Sequence, residues 1–145
     1  MISPTGRKEF PMKVFKHELH IDSEEKMIAI TDIVRGDIEK SGIFDGVVVV
    51  MCPHTTAAIT VSENTDPNVQ HDMLYAFEKV FPRNDNEYMH EDGNSFAHIK
   101  SAAVGVSESL IIENGRLILG IWQDLYFCEF DGPRTRYFYV KIMEG

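Results

Sequence analysis

The side chains best equipped for chemistry stand in short blocks between His54 and Arg134. The blocks are His54-Thr55-Thr56, Glu63-Asn64 with Asp66, His90 with Asp92, His98 with Lys100-Ser101, Gln123, Glu129 and Arg134. Three chemistries are open to them. Imidazoles brought together from separate elements can ligate a divalent ion, zinc or magnesium, and His54, His90 and His98 are the candidates. The interval from His90 to His98 matches no standard zinc spacing, and there is no His-Glu-x-x-His. Phosphate is held by cations and hydroxyls, here Lys100 near the start of a short helix, Thr55, Thr56, Ser101, and Arg134 or Arg136 after a Gly-Pro turn. Carboxylates at element ends, Glu63, Asp66, Asp92 and Glu129, can serve as base or ligand. Each feature also has a plain reading: a satisfied histidine, a surface arginine pair, and Asp66 as a helix cap. Cys128, with no base nearby in sequence, reads as a core thiol.

The elements that must position these groups follow from periodicity. Residues 1–11, with Pro4, Gly6 and Pro11, read as a loose arm. Met12 to Ile21 alternates with period two and reads as a half-buried strand. His17 and His20, three apart, then point to opposite faces rather than forming a metal pair. Lys26 to Ile30 reads as a second strand, followed by a helix capped by Thr31 or Asp32, carrying Ile30, Val34 and Ile38, and ended by Ser41-Gly42. Val47 to Val50 is a β-branched run suited to a strand covered on both faces. From Thr55 to Glu63 one face is apolar (Ala57, Ile59, Val61). The other (His54, Thr56, Ala58, Thr60, Ser62, Asn64) is small and polar, fit to line a pocket or to face solvent.

Asp66-Pro67 is a helix start, and Val69, Met73, Ala76, Phe77 and Val80 form its apolar stripe. Residues 83–94 read as a surface loop, and Ser95 as the cap of a short helix closed by Gly105, on which His98 and Ser101 share a face. Ser107 to Ile112, Leu117 to Phe130 and Arg136 to Met143 read as strands, with Asn114-Gly115 as a hairpin turn.

Composition narrows the functional classes. A chain of 145 residues with 43% hydrophobic and 26% charged side chains suits one globular domain without a linker. A net charge of -9 argues against nucleic acid and anionic membranes as partners. The 2 cysteines, Cys52 and Cys128, suit a reduced cytoplasmic protein, and no run is apolar enough for a signal peptide core or a membrane span.

The succession His54-Thr55-Thr56-Ala57-Ala58, Glu63-Asn64 with Asp66-Pro67, His90, Ala97-His98-Ile99-Lys100, Gly115-Arg116-Leu117, Gly120 with Trp122-Gln123, Glu129 and Arg134 resembles the YjbQ-like family, also called the secondary thiamine-phosphate synthase family. The likeness runs in order over nearly the whole chain. It implies a single α+β domain spanning 1–145, with a mixed, largely antiparallel, sandwich-like β-sheet, two to three helices and assembly as a homotrimer. It also implies a weak thiamine-phosphate synthase activity, joining a pyrimidine pyrophosphate to a thiazole phosphate.

On that reading His54, His90 and His98 position a divalent metal or act as acid and base, and Glu63 and Glu129 orient them as part of the catalytic set. Thr55, Thr56, Asn64, Lys100, Ser101, Gln123 and Arg134 would contact a small phosphorylated molecule. Two departures bear on substrate fit more than on fold: a shorter loop from His90 to His98, and Ile121 where the family has Thr before Trp122-Gln123. The rival reading is a non-catalytic homotrimer that binds a metal or a phosphorylated ligand.

Overall fold

The computed structural model describes residues 14–145. The expected arm at 1–11, and Met12 and Lys13 of the expected first strand, lie outside them. Among the described residues the elements run β1 (Val14–Ile21), β2 (Lys26–Ala29), α1 (Thr31–Ser41), β3 (Gly46–Met51), β4 (Ala57–Glu63), α2 (Pro67–Val80), α3 (Ser95–Val104), β5 (Ser107–Glu113), β6 (Arg116–Leu117), β7 (Gln123–Glu129) and β8 (Arg134–Glu144). The fold is α+β. A five-stranded sheet in the order β1-β8-β3-β5-β6 packs on a three-stranded sheet ordered β2-β7-β4, and the observed pairings are all antiparallel.

Alternation along each strand decides what fills the layers. The inner face of the large sheet presents Val48, Val50, Phe138, Val140 and Ile142. These meet Ala57, Ile59, Leu125 and Phe127 of the small sheet, and Ile30, Val34 and Ile38 of α1 join the same cluster. Odd and even residues of β7 serve different cores. Leu125 and Phe127 face the large sheet, whereas Tyr126, Cys128 and Phe130 face a second cluster with Phe96 and Ala97 of α3 and Met73 and Phe77 of α2. The strand covered on both faces is therefore β7. The Val47–Val50 run is central in its sheet, between β8 and β5, but its outer residues Val47 and Met51 are exposed. No described helix is long and apolar enough to cross a membrane.

Several local expectations change for identifiable reasons. The α1 N-cap is Ile30, because Thr31 Oγ1 instead accepts the Leu125 N–H at 2.8 Å and ties the helix to β7. Gly42 ends that helix in the left-handed region at φ 69°. Asp66 caps α2 as expected, accepting from Asn68 N. Asn94, not Ser95, is the cap residue of α3, and its side chain reaches Asp131 instead of the helix. The expected strand Leu117 to Phe130 is two strands in different sheets. Between them the chain turns at Gly120, whose N–H donates to Gln123 Oε1 at 2.8 Å. The polar face of β4 is roofed by helices rather than open: Ala58 is buried under α3, and Ser62 Oγ meets Met73 Sδ of α2.

Candidate functional site

The site grows from one consequence of strand alternation. Arg136 lies on the inner face of β8 with Phe138 and Val140, and Glu129 lies on the inner face of β7 with Leu125 and Phe127. The two charges meet where the sandwich ends. Arg136 Nε donates to Glu129 Oε1 at 2.7 Å and its Nη2 to Oε2 at 2.6 Å, with Glu129 fully buried and Arg136 nearly so. Burying charge is costly unless every polar atom finds a partner. Here Nη2 also donates to Thr56 Oγ1 at 2.7 Å, and Glu129 Oε2 accepts the Asp131 N–H at 3.0 Å. Among the described residues the remaining nitrogen, Nη1, has no acceptor, and Arg136 lines the adjoining cleft.

That cleft has a volume of about 380 Å³. One wall is the Pro53–Thr56 segment, the second is Asp92, Asn94 and His98 from the loop and first turns of α3, and the third is Asp131 with Arg134. Arg134 is steadied by Asp131, through Nε to the carbonyl at 2.8 Å and Nη2 to Oδ2 at 3.1 Å. Asn94 Nδ2 donates to the same Oδ2 at 2.9 Å, joining the second and third walls. Gly132 lets the third wall sit close to the β1–β2 turn. A Cβ there would lie 2.0 Å from the Ser23 carbonyl oxygen.

His54 has a defined protonation role. Its Nε2 accepts the Tyr137 N–H at 2.9 Å, so the neutral ring carries its proton on Nδ1. Burial, and then the Arg136 charge, push its pKa below the ordinary 6.5. His98 lines the opposite wall and stands edge-on to His90, with ring centroids 5.3 Å apart.

Of the residues singled out in the sequence, the structure brings His54, Thr55, Thr56, Asp92, His98, Arg134 and Arg136 to the cleft, with Glu129 beneath it. Others serve elsewhere. Lys100 is buried on α3, where Nζ donates to Glu25 Oε1 at 2.6 Å and Glu78 Oε2 at 2.7 Å, so it ties α3 to the β1–β2 turn and α2 rather than holding phosphate. Burial alone would raise the Glu78 pKa, but the Lys100 ammonium and the Arg83 N–H outweigh it and hold the carboxyl below its usual value. Ser101 Oγ is spent on the Ala57 carbonyl at 2.6 Å.

Glu63 ends β4, roughly 20 Å along the strand from Thr56, where it accepts the Asp66 N–H. Beside it Asn64 bonds Asp124 and Gln70, and Gln70 bonds the Tyr126 hydroxyl, whose pKa burial pushes up to about 12. Gln123 staples its own turn. Burial likewise raises the Cys128 thiol to about 12, in keeping with a core thiol.

The histidines do not form a metal cage. Among the described residues no three His, Cys, Asp or Glu side chains gather closely enough to hold a metal ion. His54 has already committed Nε2 to Tyr137, and two arginines, Arg134 and Arg136, line the cleft alongside it and His98. The described donor set of one chain does not fit a divalent ion.

Residues that sequence reasoning underweighted are Arg136, Asp131 and Asn94. For Arg136 a signal existed: the alternation that places Phe138, Val140 and Ile142 inward also places Arg136 inward.

A two-sheet α+β domain with a cation-floored cleft at one end defines the class structurally, and comparison with known proteins places it more narrowly. Residues 16–145 match the family described as UPF0047 protein YjbQ-like, and the chain belongs to that family. It is 49% identical over 126 residues to the UPF0047 protein YugU of Bacillus subtilis, covering 87% of this chain and 96% of that one. The protein MJ1081 of Methanocaldococcus jannaschii is 45% identical, covering 90% and 94%. The crystal structure of a YjbQ/UPF0047 family protein from Clostridium acetobutylicum superposes with a TM-score of 0.87 at 49% identity, covering 89% of this chain and 99% of that one. The structure of APE1520 from Aeropyrum pernix keeps a TM-score of 0.86 at 27% identity, covering 92% and 100%.

Removing one partner of the buried pair strands the other charge, so Arg136→Met should cost about 3–5 kcal/mol in urea unfolding. The double variant Arg136→Met, Glu129→Leu should recover most of that loss. Equal destabilisation by single and double variants would contradict the assignment. Because His54 has a lowered pKa in the fold, its contribution to stability is full above about 6.5 and declines as pH falls towards the lower folded value. The melting-temperature advantage of wild type over His54→Asn should therefore be constant above about pH 7 and shrink below about 6.5.

Proposed function

We propose that the cleft is the phosphate site of an enzyme acting on a small phosphorylated molecule. The single observation that carries this reading is the guanidinium of Arg136, fixed by Glu129 and Thr56 in the lining of the cleft. A preorganised donor favours charge that develops on a leaving oxygen. Arg134 adds a second guanidinium, Thr55 is positioned to supply a hydroxyl, and neutral His54 offers the Nδ1–H. His98, on the opposite wall, serves as the acid that protonates a departing phosphate group.

The reaction suggested by the resemblance to the secondary thiamine-phosphate synthase family is the joining of a pyrimidine pyrophosphate to a thiazole phosphate, with pyrophosphate leaving. Arg136 and Arg134 would then hold pyrophosphate as its charge grows. Lys100 has no part in this step, since both of its carboxylate partners lie away from the cleft.

The assembly in this reading is a homotrimer. Its support is apolar surface on the outer face of the large sheet, where Val47, Met51, Ile111 and Met143 are exposed together on neighbouring strands.

Folded His98→Ala and Arg134→Ala proteins should each form thiamine phosphate at least about 100-fold more slowly than wild type. Lys100→Met should lose stability while its folded fraction keeps the wild-type rate. Unchanged rates in the first two variants would overturn the assignment. Light scattering of the purified protein should give three times the mass of one chain, and a monomer would remove the assembly from the reading.

A further inference from the structure

Asn94 does not do what its place in the chain ordinarily asks of it. It is the N-cap residue of α3, a position at which an Asn side-chain oxygen accepts an N–H of the first helical turn. Here the side chain makes no such bond. Its Nδ2 instead donates to Asp131 Oδ2 at 2.9 Å, and its Oδ1 is buried with no partner among the described residues. That contact fixes the orientation of the amide, since an oxygen in place of Nδ2 would meet the carboxylate acceptor to acceptor. The oxygen that would cap the helix is thus left unpaired, at a cost in stability. What is kept in exchange is a bond to another element.

That bond has a particular place. Among the described residues it is the only side-chain hydrogen bond between the wall that carries His98 and the wall that carries Arg134. On its own side, the Asn94 carbonyl accepts the Ala97 and His98 N–H groups at 3.0 and 3.3 Å, so the same residue starts the turn that presents His98. Across the cleft, Asp131 Oδ2 accepts from Asn94 and from Arg134 Nη2 together, while the Asp131 carbonyl accepts from Arg134 Nε. Arg134 is half exposed, and a long side chain in that setting keeps one direction only if its acceptor is itself held. Asn94 supplies a second hold on the Asp131 carboxylate. It adds no charge, so the pairing of Arg134 with Asp131 stays one to one.

We propose that Asn94 is a positioning residue of the cleft: acting through Asp131, it fixes the direction of the Arg134 guanidinium relative to His98. The consequence for a bound anion rests on the phosphate reading above, whereas the consequence for Arg134 does not. A binding group displaced by about 1 Å can cost on the order of 100-fold, so one neutral bond is enough to govern affinity.

The test follows two signals in the full chain. NMR reports the Arg134 Nε–H resonance, assigned by its loss in Arg134→Ala, and calorimetric titration reports binding of inorganic pyrophosphate. Asp92, Asp131 and Arg136 also line the cleft, so the variants conserve net charge. In Asn94→Ala the Arg134 resonance should shift and exchange faster with water. The melting temperature should stay close to that of wild type, because the substitution removes the unpaired oxygen along with the bond. Pyrophosphate affinity should fall about tenfold or more. The swap of Asn94→Asp with Asp131→Asn keeps one donor and one acceptor at the contact, and it should return affinity to within about threefold of wild type. An unchanged Arg134 resonance, or equal pyrophosphate affinity in wild type and Asn94→Ala, would overturn the proposal. If the swap misfolds, the alanine comparison decides. Failure of the wild type to bind pyrophosphate by about 10 mM would remove the phosphate reading instead, and the Arg134 resonance would then decide the positioning role by itself.

Discussion

The constraint on which the rest depends is that the interior of this sandwich ends in a salt bridge rather than in hydrocarbon. Glu129 and Arg136 face each other from the two sheets at the mouth of the core, and neither can move without exposing the other to an apolar surround. Such a pair contributes little net stability compared with well-packed apolar residues. Its value lies in direction. The carboxylate uses its oxygens on Arg136 and the Asp131 amide, and the guanidinium uses Nη2 on Thr56 as well. What is left over is one oriented edge of positive charge. The cleft is thus a by-product of how the core is closed, built from the same strands that hold the sheets together.

Lys100, a charge that resembles a binding residue, is an internal strut. Lys100 draws three separate segments together through Glu25 and Glu78. At the opposite end of the small sheet, Asn64, Asp124, Gln70 and Tyr126 form a polar clasp between β4, β7 and α2. Both networks occur where apolar packing thins out, at the edges of the second core. Buried polar groups there need partners, and long side chains find them across elements. A cation near hydroxyls in the sequence is therefore weak grounds for a phosphate site until its nearest carboxylates are known.

How much was legible in the sequence follows from which rules are local. Period-two alternation located β1, β5 and β8, and the Asp66-Pro67 pair located the start of α2, because each rests on residues within one element. The family likeness carried the fold class. Several judgements that needed a second element failed, although the Asn114-Gly115 hairpin joins β5 to β6 as expected. The Val47–Val50 run looks buried on both faces, yet no described segment covers its outer side, whereas β7 with its mixed residues is doubly covered. The break at Gly120–Gln123 was hidden because apolar residues continue through it while the chain changes sheets. Of the candidate site residues, His54, His98 and Arg134 stand at the cleft, whereas Lys100, Ser101 and Gln123 bond partners that are distant in sequence or, for Gln123, lie in an unforeseen turn.

One feature of the topology reaches beyond the static architecture. The first described strand pairs along its whole length with the last, and β8 then pairs with β3, so the strand carrying Arg136 is supported on both sides by segments from the other end of the chain. The small sheet is similar, with β7 entering between β2 and β4. Such pairings require large loops to close before any sheet is complete, which slows folding relative to chains built from local contacts. During synthesis the guanidinium and its carboxylate partner must therefore wait for the C-terminal segment. Until β8 docks, Glu129 has no counter-charge, so the nascent chain carries its most costly buried group on a surface still open to water.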